Sequence, residues 1–254
     1  VENTMADTLA RPSLPTTPAT TVPAVPAAAR RPAPATVFLG RISADPDHGF
    51  YPAPHRYHLY LSACCPRSLR VHVTLGLLGL CSSIGTTVLD PACDPAAVPG
   101  LRAAYEAARH HDDSPLTVPA LCDRWSGRVV SNHTPHILDD LALRFTGPVG
   151  PDRPRLRPAA LAAEIDALRE LVGDGTAEPL LLDTLDRRLA GRPYVLGPEL
   201  TAADVDAWAA VTTAPARPDG SGDPFAGRPR LAAWAERLGA HPAFAAARGQ
   251  SAAC

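Results

Sequence analysis

The sequence predicts an α/β domain followed by an all-α domain, and three patterns carry that prediction. A strand, a helix and a second strand can be read over 57–89. Two short strands and a helix follow over 118–145. Beyond a stretch dense in proline and glycine, every periodic segment is helical.

Each element has a local reason. In Tyr57-His58-Leu59-Tyr60-Leu61-Ser62, β-forming residues alternate. Pro66 then opens an apolar-periodic run through Leu69, Val73, Leu77 and Leu80. Residues 83–89 read as the second strand. A less regular insertion over 90–117 holds a short helix expected at 101–109. Val118-Pro119-Ala120-Leu121 runs on through Asp123 to Val130, giving two short strands about the turn at Gly127. Asn132 and Thr134 can cap the next helix, which Pro135 begins and whose stripe is Ile137, Leu138, Leu141 and Phe145. The order β-α-β then β-β-α is the thioredoxin-like arrangement, expected over 36–146 with a linker at 147–158. The helical domain is expected over 159–254, with helices at 159–171, 178–189, 202–211 and 230–238. The third opens on Thr201-Ala202-Ala203-Asp204, a short variant of the capping box. Residues 1–35, rich in Pro, Ala and Thr, read as a disordered tail. No internal repeat is present.

Composition narrows the function classes. A net charge of −2 predicts no nucleic-acid partner. All 24 residues of the Lys/Arg class are arginine, so no lysine Schiff base or lysine nucleophile can operate. No basic start precedes an apolar core, and no stretch approaches about 18 apolar residues, so neither a signal peptide nor a membrane span is expected. The 6 cysteines lack both zinc-ribbon spacing and the density of a disulfide scaffold, which fits a reducing, cytoplasmic setting.

Three stretches carry a family resemblance. They are Arg56 to Ser62 leading into Cys65-Pro66, Val118-Pro119-Ala120-Leu121 with Val130-Ser131-Asn132, and Leu196-Gly197-Pro198-Glu199-Leu200-Thr201-Ala202-Ala203-Asp204. His241-Pro242-Ala243-Phe244 adds a similar C-terminal stretch. With these the chain resembles the glutathione transferase superfamily, and more narrowly its glutathionyl-hydroquinone reductase (Xi-class, omega-like) branch. The resemblance implies a thiol site in the first domain, an electrophile pocket against the helical domain, and often a homodimer; no metal is expected. It implies that Cys65 is the nucleophile, that Val118 offers its backbone to the thiol tripeptide, and that His133 and Thr134, beside Asn132, meet the γ-glutamyl end. In that branch a cysteine takes the glutathionyl group from a quinol adduct and is freed by a second thiol.

The residues around Cys65 support this chemistry in their own right. An ordinary thiol, with a pKa of about 8.5, is only a few per cent thiolate at neutral pH, and a helix N-terminus favours the anion. Cys65 directly precedes Pro66, with Arg67 and Arg70 close in sequence. In Cys65-Pro66-Arg67-Ser68 a serine stands where a resolving thiol would be, which favours exchange with a small thiol. The plainer reading makes Cys64 and Cys65 small buried residues.

Two departures bear on the cosubstrate. Arg67 stands where the branch usually has tryptophan, and His133 where an acid usually meets the γ-glutamyl ammonium. Losing that charge-assisted bond costs roughly 1.5–3 kcal/mol. The cosubstrate is therefore expected to be a low-molecular-weight thiol, either glutathione or mycothiol, which lacks that ammonium. The substrate is expected to be a small electrophile or thiol conjugate of specialised metabolism. Two alternatives stand beside it: addition, isomerisation or elimination with His133 as acid or base, and a binding module without catalysis. His110-His111-Asp112-Asp113 reads as a solvated loop, the His133/His136 pair as capping and surface residues, and Gly76-Leu77-Leu78-Gly79 as helix packing. Trp125, Trp208 and Trp234 read as structural.

Overall fold

Strand β1 (Tyr57–Ser62) is the axis around which the first half is built. It pairs in parallel with β2 (Gly85–Leu89) and antiparallel with β3 (Ala120–Asp123), which pairs antiparallel with β4 (Arg128–Ser131), so the sheet order is β2-β1-β3-β4. Tyr57, Leu59 and Leu61 are buried on one face, as the period of two requires. In the computed structural model the described residues are 34–90, 92–110, 114–145, 153–173, 178–213 and 223–251. Most of the Pro/Ala/Thr-rich tail, half of the linker, residues 111–113 and Cys254 lie outside them.

Helices α1 (Pro66–Leu77), α2 (Pro99–Ala108) and α3 (Thr134–Arg144) complete the thioredoxin-like half. Helix α1 stops short of Leu80 for a local reason. Gly79 takes a left-handed φ of 63°, and the N–H groups of Gly79 and Leu80 donate back to the carbonyls of Gly76 and Leu75. That is a Schellman ending. The N–H groups of Ser83 and Ile84 both reach the Leu80 carbonyl, so β2 starts at Gly85 rather than at 83.

The second half is α4 (Ala162–Val172), α5 (Pro179–Arg188), α6 (Ala202–Thr212), α7 (Pro229–Gly239) and α8 (Pro242–Ser251). Helix α6 is buried on every side from Ala202 to Val211, which makes it the central rod of the helical half. Its start is held by Asp204, which is 0% exposed. That carboxylate accepts from the N–H groups of Thr201 (3.0 Å) and Val195 (2.9 Å), the Thr201 hydroxyl (3.2 Å) and Trp234 Nε1 (3.3 Å). The capping box expected at Thr201 is therefore also a tertiary clasp. Burial pushes the Asp204 carboxyl up, and these donors oppose it. Trp208 and Trp234 are core residues, whereas Trp125 is exposed and covers the Arg56 guanidinium at 4.6 Å.

Helix α8 was not expected from periodicity. It packs on α1 where Gly76 lacks a side chain: a Cβ there would lie 2.8 Å from Ala243 Cβ. One core runs from Leu59 and Leu75 through Trp208 to Phe244, so the two halves share it.

Two outcomes follow for stability. Asp204→Ala leaves several buried donors open and should lower the unfolding free energy by on the order of 3 kcal/mol, read by denaturant titration. His58 and His72 are pushed below the ordinary histidine value of 6.5, by burial first and for His58 also by the Arg124 charge. The unfolded chain then binds protons more readily than the folded one. Their contribution is whole above about pH 6.5 and is lost as pH falls through the folded values. The denaturation midpoint should therefore drop between about pH 7 and pH 5, and His72→Gln should flatten part of that slope.

Candidate active site

Cys65 is the N-cap of α1. Its backbone is extended at φ −96° and ψ 118°, its carbonyl accepts the Leu69 N–H at 2.9 Å, and its side chain makes no capping hydrogen bond. The sulfur thus stands at the positive end of the helix without a partner that would tie it down. Cys65 is half-buried with a free thiol, whereas the adjacent Cys64 is engaged in a disulfide. Ser68, 1% exposed, accepts the Ser62 N–H at 3.0 Å and so ties the end of β1 to the first turn of α1. The residue in the resolving position is a structural clamp.

Val118 is joined to Pro119 by a cis peptide bond and is itself buried. The β1–β3 pairing ends at Tyr60 and Ala120, so Val118 lies two residues before the paired part of β3 and Ser62 two residues beyond that of β1. Arg67 is half-buried and forms no ion pair among the described residues. Arg70, expected to lend charge to Cys65, points elsewhere. It donates to the Gly173 carbonyl at 2.7 Å and faces Asp206 at 3.7 Å.

The three residues at the start of α3 differ in status. Asn132 is occupied: its Oδ1 accepts the Phe38 N–H at 2.7 Å, and its Nδ2 donates to the Thr36 carbonyl (2.8 Å), Thr117 Oγ1 (2.9 Å) and Tyr105 Oη (3.1 Å). It fixes the approach to the helix. His133 is the N-cap of α3, with its ring 4.3 Å from that of His136 and its Nδ1 buried without a partner. Burial, then the neighbouring His136, Arg41 and Arg169, push His133 down, so the imidazole is neutral at pH 7. Thr134, 5% exposed, has its hydroxyl unpartnered.

His133 and Thr134 open onto a cavity of about 540 Å³ between α1, α3 and α4, whose lining does not include Cys65, Arg67, Val118 or Asn132. Its far wall carries a chain of ion pairs. Asp206 holds Arg169 (2.9 Å), Arg169 and Arg157 both reach Asp139 (3.0 and 3.5 Å), and Arg157 holds Asp166 (2.7 Å). These residues had only one sequence signal, Asp166, Arg169 and Glu170 falling on one face of an amphipathic helix. Among the described residues no group of three His, Cys, Asp or Glu side chains could hold a metal. No described helix is long and apolar enough to cross a membrane.

The chain combines a strand-turn-helix bearing a free cysteine, a cis-proline before β3 and an all-helical second half. Residues 181–237 match the glutathione S-transferase C-terminal domain family. The chain is a divergent relative of the glutathione transferases, similar to glutathionyl-hydroquinone reductases. It is 29% identical to that of Sphingobium chlorophenolicum over 63% of this chain and 62% of the relative, and 26% identical to that of Escherichia coli over 63% and 60%. The chain thus spans about three fifths of the length of these curated relatives. Among solved structures it resembles a glutathione transferase from Gordonia bronchialis (26% identity, TM-score 0.70, 83% of this chain and 78% of that one). It also shares the fold of the Xi-class transferase from Phanerochaete chrysosporium (24% identity, TM-score 0.72, 86% and 85%).

Exposure separates the thiols. Burial pushes Cys122 up to about 12, so on brief treatment of the native chain with iodoacetamide Cys65 and exposed Cys81 should be carbamidomethylated and Cys122 should not, as read by peptide mass spectrometry.

Proposed function

We propose that the chain is a thiol-dependent transferase or reductase in which Cys65 is the nucleophile. One observation carries this reading: a free, half-buried cysteine at the N-cap of α1, with a buried serine at the resolving position. The substrate is a thiol conjugate of a quinol-like ring. The Cys65 thiolate attacks the sulfur of the conjugate, and the ring carbon–sulfur bond breaks. Its electron pair stays on the ring carbon, which takes a proton, while Cys65 is left in a mixed disulfide. A second molecule of small thiol attacks that disulfide, releasing the oxidised thiol dimer and restoring Cys65. With serine at position 68, no internal thiol in that turn competes with the incoming one.

The reductase relatives support a quinone-related substrate, and a solved structure of the E. coli relative has glutathione bound. Glutathione or mycothiol is the cosubstrate of this chain. Val118 presents its backbone to the thiol, Arg67 steers an anionic group near the sulfur, and His133 and Thr134 meet the far end. The cytoplasm, rich in small thiols, is the setting this chemistry needs.

The buried, unpartnered Nδ1 of His133, whose pKa is pushed down by burial, favours one rival, in which the same fold catalyses addition, isomerisation or elimination with His133 as acid or base. Cys65→Ser separates the two. It should reduce turnover of a glutathionyl-hydroquinone by at least about a thousandfold and abolish the mixed disulfide seen by intact-mass measurement; retained turnover with loss in His133→Ala would establish the rival. His133→Glu should restore the ammonium partner and tighten glutathione binding by about tenfold in calorimetry.

A further inference from the structure

We infer that the face of the sheet turned away from α1 and α3 carries a second ligand site, in which Arg124, Tyr60 and His58 take the carboxylate of a small aromatic acid. The cavity there, of about 470 Å³, shares no lining residue with the one beside His133 and does not include Cys65. It lies at the other end of β1 from the cysteine. Four residues of strand, about 13 Å, separate His58 from Ser62, after which the turn to Cys65 begins.

The cavity is a consequence of small residues around two rings. His58 and Tyr60 stand two residues apart on the same face of β1, with their ring centroids 4.8 Å apart. The register sets Gly85 and Cys122 on either side of His58, and Thr87 and Ala120 on either side of Tyr60. Helix α2 covers part of this face, where Leu101, Ala104 and Tyr105 pack with Leu89, Ala120 and Cys122. The rest stays open because Gly85, Gly100 and Ala104 offer no side chain large enough to fill it. Both glycines are also required by the rings themselves. A Cβ on Gly85 would lie 2.7 Å from His58 Nδ1, and one on Gly100 would lie 2.5 Å from Tyr60 Oη.

The polar atoms of the lining are unspent. His58 Nε2 is engaged with Thr87 Oγ1 at 2.8 Å, whereas its Nδ1 makes no hydrogen bond among the described residues, and neither does Tyr60 Oη. Arg124 is exposed and forms no ion pair among the described residues. Burial is the largest influence on the titration of both His58 and Tyr60, and the Arg124 charge acts on each, which places its guanidinium near both rings. The lining acid, by contrast, is fully used. The Asp123 carboxylate accepts from Arg56 (2.8 and 3.1 Å), the Ser126 hydroxyl (2.8 Å) and the Trp125 N–H (3.2 Å).

A guanidinium, a phenol hydroxyl and an adaptable imidazole nitrogen, with no free acid among them, call for an anion. A carboxylate matches the planar fork of arginine. The walls select what carries it: glycine and alanine backbone beside two aromatic rings form a slot for a flat ring, and the volume falls within the roughly 300–1,000 Å³ of small-molecule sites.

Calorimetry on the full chain with 2-naphthoate, the uncharged 2-naphthamide and acetate tests this. Naphthoate should bind at least about tenfold more tightly than either of the others. Arg124→Gln, a change at an exposed side chain, should reduce the preference for acid over amide to about twofold or less, and Tyr60→Phe should weaken naphthoate by about threefold or more. Cys65→Ser should leave naphthoate binding unchanged, which separates this site from the thiol cleft. Equal binding of acid and amide, acetate binding as tightly as naphthoate, or no measurable naphthoate binding overturns the inference. So does a preference that survives Arg124→Gln or a loss of binding in Cys65→Ser.

Discussion

The carboxylate of Asp206 is the constraint on which the junction between the two halves depends. It lies inside α6, 1% exposed, with Arg169 of α4 at 2.9 Å and Arg70 of the thiol-bearing helix α1 at 3.7 Å. An isolated charge at that depth would cost several kcal/mol of desolvation, so each member is tolerable only while the others are present. Arg70 is further anchored on the Gly173 carbonyl. The orientation of α1 against the helical half is thereby tied to a polar geometry, which a purely apolar contact would leave freer to slide. The same pairing directs Arg70, five residues after Cys65, toward the helical half.

From that junction the site follows as three chain segments held by backbone-directed bonds. Ser68 fixes the end of β1 to the first turn of α1, the β1–β3 ladder aligns Tyr60 with Ala120, and Asn132 locks the approach to α3. Ser131 continues the last of these, donating to the Phe38 carbonyl and accepting the His133 N–H at 3.1 Å in each case. None of these side chains needs to touch a ligand to matter. They set helix starts in place, and helix starts present the N–H groups and partial charge that a thiolate or a carboxylate requires.

What was legible in the sequence divides along the same line. The strands, the proline-initiated helices and the Thr201–Asp204 cap are governed by local rules, so period and capping residues located them to within a few positions. The end of α1 was missed because its stop signal, Gly79, sits inside an apolar run that looks continuous. Helix α8 was missed because its stability comes from tertiary packing. It is short and alanine-rich, and its burial depends on Gly76 lying opposite Ala243, a pairing no local pattern contains. The site splits similarly. Cys65 was visible through strand, turn and helix-start signals and Val118 and His133 through the family resemblance, whereas the Arg169–Asp139–Arg157–Asp166 chain joins α3, the segment before α4 and α4 itself.

This split has a consequence for function. The surroundings of Cys65 are built from a strand end and a helix start, which follow local rules, so they are readable early. The cavity beside His133 is instead lined by side-chain charges delivered by separate segments, which no local pattern brings together. His133 shows the scale. Exchanging a carboxylate for a neutral imidazole at a helix N-cap leaves α3 intact, with His133 still accepting the Ile137 N–H at 3.1 Å through its carbonyl. Yet the exchange removes a charge-assisted partner worth roughly 1.5–3 kcal/mol to a bound ammonium. The charges of the cavity wall are therefore set by ion pairs between separate segments, whereas Cys65 is placed by the strand, turn and helix start around it.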